Sequence, residues 1–293
     1  MDSTKNIAQE RLCHLSHAGF SKLAQYITSE LGIKMPASKA TLIQSRLLRR
    51  VRELGFESVE RYAEFVINSP EDAEERVHLM DAITTNKTDF LREPEHFDYL
   101  MRVALPAIVE QQPKWPNRLF SVWSAGCSSG EEPYTLAMLL AEYASRTPGF
   151  DFSILATDVS TRILERARLG IYEEQQIEPL PAELRRKYLL RSRNREHRQV
   201  RVVPELRRRV SFHRLNFMDA QYTIRNTFQI IFFRNVMIYF DRPTQEVVID
   251  KLCRHLDYGG YLFVGHSESL SGLDIPVTPV HSAVFRKMRG AVT

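Results

Sequence analysis

The stretch that most narrows what this chain can fold into is Leu119 to Ala137, LFSVWSAGCSSGEEPYTLA. Leu119 to Trp123 is apolar and β-prone, as a buried parallel strand requires. Small residues follow (Ser124, Ala125, Gly126, Ser128, Ser129, Gly130), and the periodic Leu136, Leu139 and Leu140 predict a helix beginning just behind Pro133. Strand, tight turn and helix form the opening unit of a doubly wound sheet, whose bare turn and helix N-terminus suit a nucleoside-type ligand. No G-x-G-x-x-G is present, and Glu131 and Glu132 stand where a pyrophosphate would rest and would repel it. A cationic, phosphate-free nucleoside such as S-adenosylmethionine fits better. The turn alone does not decide the matter, because any α/β protein can own a small-residue turn.

The alternation continues downstream. Phe152 to Thr157 reads as the next strand, closed by Asp158. An acid at the end of the second strand of a mononucleotide-binding half accepts hydrogen bonds from a ribose diol. Asp158 also precedes a helix, Thr161 to Leu169, which it could cap instead. Val210 to Leu215 is a strand ending in Asn216, and Phe228 to Phe233 is a strongly buried strand ending in Arg234-Asn235. Thr244 to Leu256 is a helix closed by Gly259-Gly260. Tyr261 to Val264 is a further strand, and Ala283 to Met288 returns as an edge strand. Ligands of open α/β sheets bind beyond the carboxyl ends of the strands. The turn from Gly126 to Glu132, Asp158, Asn216 and Arg234-Asn235 all fall at those ends.

One segment breaks the rhythm. Glu178 to Arg209 is dense in arginine, Arg195 among them, and holds short β-like pieces such as Val200 to Val203. It reads as a small antiparallel element inserted on the rim of the sheet domain, either a solvated edge or a contact for an acidic protein. The aromatic interleaving of a single-strand nucleic-acid binder is missing.

Upstream, residues 1–82 read as a separate helical domain. Helices are predicted from Ser21 to Leu31, from Lys39 to Leu54, after Ser58 and after Ser69-Pro70, with Gly32 and Gly55 as stops. Ile43, Leu47, Val51 and Leu54 make a buried stripe on the second helix. Arg46, Arg49 and Arg50 adjoin it at i, i+3, i+4 spacing, as a solvated face or as a docking surface for an acidic partner. Residues 83–94 then read as a linker. The wider stretch DAITTNKTDFLREP is polar and β-branched, and Asn86, Thr88 and Arg92 could reach a ligand, unless it is a plain connector. A helix from about Glu95 to Glu110 leads through Pro113 and Pro116 into the sheet domain, residues 95–293.

Composition excludes several classes. A chain of 293 residues with 43% hydrophobic and 26% charged content has the profile of a globular protein with a real core. No run of about eighteen apolar residues occurs, so direct membrane insertion is not expected. The opening MDSTKNIAQER lacks a signal-peptide core, which points to the cytoplasm. The three cysteines have no metal spacing, and no metal is expected. A net charge of +4 is too small to imply a nucleic-acid partner.

Five motifs in order, TTNKTDFLRE, WSAGCSSGEEPY, ATDVS, RNVMIYF and GHSES, resemble the CheR-type chemoreceptor glutamate methyltransferases over nearly the whole chain. The resemblance implies a Rossmann-like doubly wound methyltransferase sheet with an N-terminal all-helical domain and a small β subdomain. It implies an S-adenosylmethionine-dependent enzyme that esterifies glutamates on the cytoplasmic helices of chemoreceptors and releases S-adenosylhomocysteine; a monomer is expected. By the same resemblance Asn86, Thr88 and Arg92 contact the cofactor, and Gly126 belongs to its turn. Either Glu131 or Glu132 meets its amino group, and Asp158 meets the ribose. Asn216, Phe217, Arg234 and Asn235 surround adenine and the methionine moiety. Arg92 and Tyr239 flank the transferring methyl, and Arg46, Arg49 and Arg50 lie on the receptor-recognition helix. Some members carry a glycine-containing loop that docks a receptor's C-terminal pentapeptide. The corresponding Arg191 to Val200 has no glycine, which predicts action without that tether. Two rivals are a nucleic-acid methyltransferase, prompted by the arginine-rich insertion but lacking an Asn/Asp-Pro-Pro-Tyr/Phe motif, and a non-catalytic module that senses the cofactor or holds a partner.

Overall fold

The computed structural model describes residues 12–69, 73–111, 119–194 and 196–288. The segment MDSTKNIAQER, Pro70, Pro113, Pro116 and Arg195 lie outside the described residues. The chain divides into two compact units, Met1–Thr85 with Tyr239–Asp241, and Asn86–Ile238 with Arg242–Thr293.

The first unit is helical: α1 His17–Leu31, α2 Ala40–Leu54, α3 Val59–Asn68 and α4 Ala73–Ile83. Ser16 and Ser58 cap α1 and α3, their hydroxyls accepting from the Gly19 and Arg61 N–H groups. The cap at Ser16 explains why α1 starts a turn before the predicted Ser21. Gly32 and Gly55 close α1 and α2 at φ 70° and 72°, a conformation that glycine adopts without strain. Leu23, Ile27, Ile43, Leu47, Val51 and Tyr62 are buried at helical spacing and make the core. The Lys34 N–H donates to Tyr239 O at 3.0 Å, which ties the short 239–241 piece to this unit. The polar, β-branched stretch that begins at Asp81 is still helical through Ile83, and the Arg46 guanidinium donates to Ile83 O and Thr84 O at 2.7 and 3.2 Å.

The second unit begins with α5 Pro94–Tyr99, which continues through a π-helical turn, Leu100–Ala104, into α6 Leu105–Glu110. The Leu105 N–H reaches back five residues to Leu100 O, one residue before Pro106, which has no N–H to give. The sheet is built from β1 Phe120–Ala125, β2 Phe152–Asp158, β6 Val210–Arg214, β7 Phe228–Phe233, β8 Leu256–Val264, β9 Thr278–His281 and β10 Val284–Arg286. Its order is β6-β2-β1-β7-β8-β10-β9. The first five strands are parallel, with Val122 level with Ile154 on one side and Ile230 on the other; β10 and β9 run antiparallel. Phe120, Val122, Phe232 and Phe263 pack on one face, and Trp123, Ile231 and Phe233 are buried on the other. Covering both faces is what the βαβ crossovers of a doubly wound fold require.

Three local expectations change. The returning strand at Val284 is not the edge, because β9 lies outside it. Sequence pattern missed β9, whose four residues are all exposed and include Pro279. Gly259-Gly260 sits inside β8 rather than closing a helix, since the helix there spans Arg242–Arg254. The β7–β8 register slips between Phe228 and Ile230, and a Cβ on Gly260 would lie 2.7 Å from Gln229 O, so the glycine serves a bulge. The helix after β1, α7 Glu131–Ala144, begins two residues before Pro133.

The arginine-rich segment forms a small antiparallel sheet of β3 Ile171–Glu173, β4 Leu189–Arg191 and β5 Gln199–Val202, in the order β3-β5-β4. Its first strand precedes residue 178, directly after the helix Thr161–Leu169 (α8) ends at Gly170. A helix the pattern did not reveal, Ala182–Tyr188, sits between β3 and β4.

Candidate active site

The turn after β1 is held by the strand beside it. The Gly126 and Cys127 N–H groups both donate to Thr157 O, at 2.7 and 2.9 Å. Gly126 sits at φ 84°, and a Cβ there would lie 2.5 Å from Val236 Cγ2, so both conformation and space demand glycine. The Ser128 N–H donates to Asp158 Oδ2 at 2.9 Å and the Ser160 N–H to Oδ1 at 3.0 Å. The cap of α8 is Ser160, whose hydroxyl accepts from the Ile163 N–H, so Asp158 is not that cap. It is an acid fixed at the strand end by two backbone donors, 8% exposed.

The paired acids diverge. Glu131 is 1% exposed; it accepts from the Ser129 hydroxyl at 2.7 Å and faces Gln176 Nε2 at 3.4 Å. Glu132 accepts from the Ser124 hydroxyl at 2.7 Å and from Arg234 Nη1 at 3.0 Å. Burial pushes both carboxyls above the usual range, and for Glu132 the neighbouring Arg234 opposes the push. A cationic ligand would relieve that cost, whereas a phosphate would add to it.

Arg234 is the hub. Its guanidinium bridges Glu132 and Glu93, both at 3.0 Å, donates to Arg92 O, and lies over the rings of Phe97 and Phe232. Glu93 also accepts from Asn235 Nδ2 at 3.2 Å and from the His266 N–H at 3.3 Å. Burial would raise the Glu93 carboxyl, but Arg234 and these donors outweigh it and hold it below the usual range. His96 is 1% exposed beside it, and burial pushes its imidazole down to about 3, so it stays neutral. Glu93, His96 and His266 bring ligand-type atoms within 4.8 Å of one another, but the Arg234 cation already occupies the Glu93 carboxylate.

Among the other predicted positions in this unit, Asn86 O accepts from the Ser128 hydroxyl at 2.8 Å, which ties the linker to the β1 turn. Thr88 is half-buried, and Arg92 Nη1 donates to Lys87 O at 3.0 Å. Asn216 Oδ1 accepts from the Met218 N–H, and Phe217 packs edge-on against Phe233. Tyr239 groups with the helical unit, under Lys39 Nζ. There the arginine trio does not form one free face. Arg50 forks onto Glu75 and Arg46 is held by the α4 terminus, while Arg49, 86% exposed, pairs with Glu53 one turn on. Sequence reasoning missed Glu93, hidden behind Arg92 in TDFLRE, and Glu268, inside GHSES; both motifs were visible but not their carboxylates.

The parallel sheet, with its crevice of glycines and acids at the strand ends, is Rossmann-like, and the family matched by its sequence makes it a methyltransferase that uses S-adenosylmethionine. Residues 86–285 match the CheR methyltransferase SAM binding domain and residues 18–84 its all-alpha domain. The chain belongs to the CheR methyltransferase family, enzymes of S-adenosylmethionine-dependent methylation in chemotaxis. It is 40% identical over 253 residues to the chemotaxis protein methyltransferase of Borreliella burgdorferi, covering 86% of this chain and 88% of that one. It is 37% identical to the Escherichia coli chemotaxis protein methyltransferase over 90% of this chain and 88% of that one. Chemotaxis protein methyltransferase 2 of Pseudomonas aeruginosa is 36% identical, over 93% and 94%. No helix among the described residues is long and apolar enough to cross a membrane.

Proposed function

We propose that this protein transfers the methyl group of S-adenosylmethionine to glutamate side chains on the cytoplasmic helices of chemoreceptors. The products are the methyl ester and S-adenosylhomocysteine; the enzyme works in the cytoplasm as a monomer, without nucleic acid. The observation that carries this reading is the acidic, phosphate-hostile crevice formed by the 126–132 turn, Asp158 and the Arg234–Asn235 corner. Asp158 takes the ribose hydroxyls. Glu132 takes the ammonium group, because Glu131 is the more deeply buried and is turned toward Gln176. Asn86, Thr88, Asn216, Phe217, Arg234 and Asn235 complete the cofactor site around the Gly126 turn.

The bound cofactor supplies an electrophilic methyl on a sulfonium. A glutamate acceptor, with an ordinary pKa near 4.3, is already ionised at neutral pH and needs no base. The protein's task is alignment, which contributes roughly 7–11 kcal/mol when the geometry is right. The planar Arg92 guanidinium can hold a carboxylate by two parallel hydrogen bonds. Because charge is lost in the transition state, Arg92 must orient the oxygen without over-stabilising the ground state. Arg92→Ala is expected to lower turnover by about a hundredfold or more with a smaller change in cofactor affinity. Tyr239→Phe tests the companion role that the family resemblance gives the Tyr239 hydroxyl.

On the helical unit, Arg49 is the exposed cation of the three and carries the docking role, with Arg46 and Arg50 supporting the helices. The glycine-free segment after β4 supports action on receptors without a C-terminal tether. The decisive experiment incubates purified protein with labelled S-adenosylmethionine and receptor-bearing membranes. Base-labile methyl ester is expected, and it should persist when the receptor's last five residues are removed. Cofactor binding with no ester on any receptor would overturn the substrate assignment.

A further inference from the structure

Asn235 is an asparagine held in the left-handed region, φ 60°, at the end of a central strand. Such a residue costs of order 1–2 kcal/mol and persists only where its surroundings impose it. Two carboxylates do so, one at its backbone and one at its side chain. Glu268, 8% exposed, accepts from the Asn235 N–H at 2.9 Å, the Gly265 N–H at 2.6 Å and the Ile238 N–H at 3.3 Å. Glu93 accepts from the Asn235 side-chain nitrogen at 3.2 Å. Gly265 leaves the space, since a Cβ there would lie 2.5 Å from Asn235 Nδ2 and 2.9 Å from Glu268 Oε2.

The chemistry of the pair fixes the amide. An ionised carboxylate can only accept, so the NH2 end of Asn235 must face Glu93 and the carbonyl Oδ1 must face the other way. Among the described residues no group donates to that Oδ1. Glu93 is itself oriented by Arg234 and by the His266 N–H, and it follows Arg92 in a turn where Leu91 and Glu93 both have φ near 55°.

Resting on the cofactor site proposed above, we infer that Glu93 and Glu268 are positioning residues. Together they clamp Asn235 so that its Oδ1 is presented as an acceptor to an N–H donor of the cofactor. Neither touches the cofactor itself. They act through Asn235, and they make the site selective for a ligand that donates at that point.

The test is calorimetry of the full chain with S-adenosylhomocysteine, alongside steady-state methylation. Wild-type binding establishes the cofactor site independently; its absence would sink the proposed function rather than the clamp. Glu93→Gln should weaken binding by about ten- to a hundredfold, because the new amide can present a donor to a donor. Asn235→Asp sets two carboxylates face to face and should weaken it at least as much. The combination E93Q/N235D restores a hydrogen bond of reversed polarity while keeping an acceptor toward the ligand, and it should bind at least about fivefold tighter than N235D alone. Glu268→Gln should raise the KM for cofactor about tenfold with turnover at saturation falling much less. If Glu268→Gln does not fold, the Glu93–Asn235 pair decides alone. Analogues lacking the α-amino group, or carrying inosine for adenosine, identify the donor: Asn235→Ala should cost nothing further on one of them. Glu93→Gln binding within twofold of wild type, no gain in the double variant, or equal loss on both analogues would each overturn the inference.

Discussion

Arg49 and Arg50 are adjacent in sequence and both reach Glu53, yet they differ in burial, 86% against 25% side-chain exposure. Arg50 points inward to Glu75, 5% exposed, which also accepts from the Tyr62 hydroxyl at 2.7 Å. Removing one partner of such a pair strands a buried charge, so Arg50→Ala should lower stability by about 3 kcal/mol in urea unfolding. Arg49→Ala, on a solvated face, should leave the unfolding midpoint unchanged while weakening receptor methylation. His96 gives a pH signature. Its folded value, about 3, lies below the ordinary 6.5, so the unfolded chain takes up a proton that the fold refuses. The stability from burying it neutral is complete above about 6.5 and is lost as pH falls toward about 3. Wild type should therefore lose on the order of 2 kcal/mol between about pH 6.5 and 5, and His96→Leu distinctly less, by urea titration at each pH. The depressed Glu75 and Glu93 carboxyls work lower, their contributions fading only as pH drops below about 4.5.

At the scale of elements, the turns shape the crevice and the glycines carry the turns. Gly126→Ala forces a side chain into Val236 at a left-handed position, and cofactor affinity should fall by at least about tenfold with the fold intact. Gly260→Ala meets backbone, the Gln229 carbonyl, and should instead lower the melting temperature by several degrees with little change in cofactor affinity per folded molecule. What the sequence made legible follows the same division. The strand–turn–helix at Phe120 and the buried Phe228–Phe233 were readable because apolar periodicity and small-residue turns are local signals. β9 was not, since an exposed edge strand has no apolar alternation to reveal it. The roles of Glu93, Glu268 and Arg50 were hidden for another reason. Each depends on a partner 25 to 141 positions away, and no local pattern encodes that partner.

At the scale of the whole molecule, two compact units in one chain predict separable responses. Cofactor at about a hundred times its Kd should stabilise the sheet unit by roughly 2.7 kcal/mol. Arg50→Ala should lower the helical unit's transition in scanning calorimetry and leave the cofactor-induced shift of the other in place. A single transition moved equally by both would show that the units unfold as one.

The bond from the Lys34 N–H to Tyr239 O sets an order of assembly. A ribosome finishes the four described helices early, but the backbone partner of Lys34, between α1 and α2, lies beyond residues 86–238. At ordinary elongation rates that is a wait on the order of 10 s. Throughout that interval the nascent helices hold together without that bond, on side-chain packing, the Arg50–Glu75 pair and local bonds such as Glu60 N–H to His14 O. The final closure of the first-made domain therefore reports that most of the catalytic domain has already been synthesised.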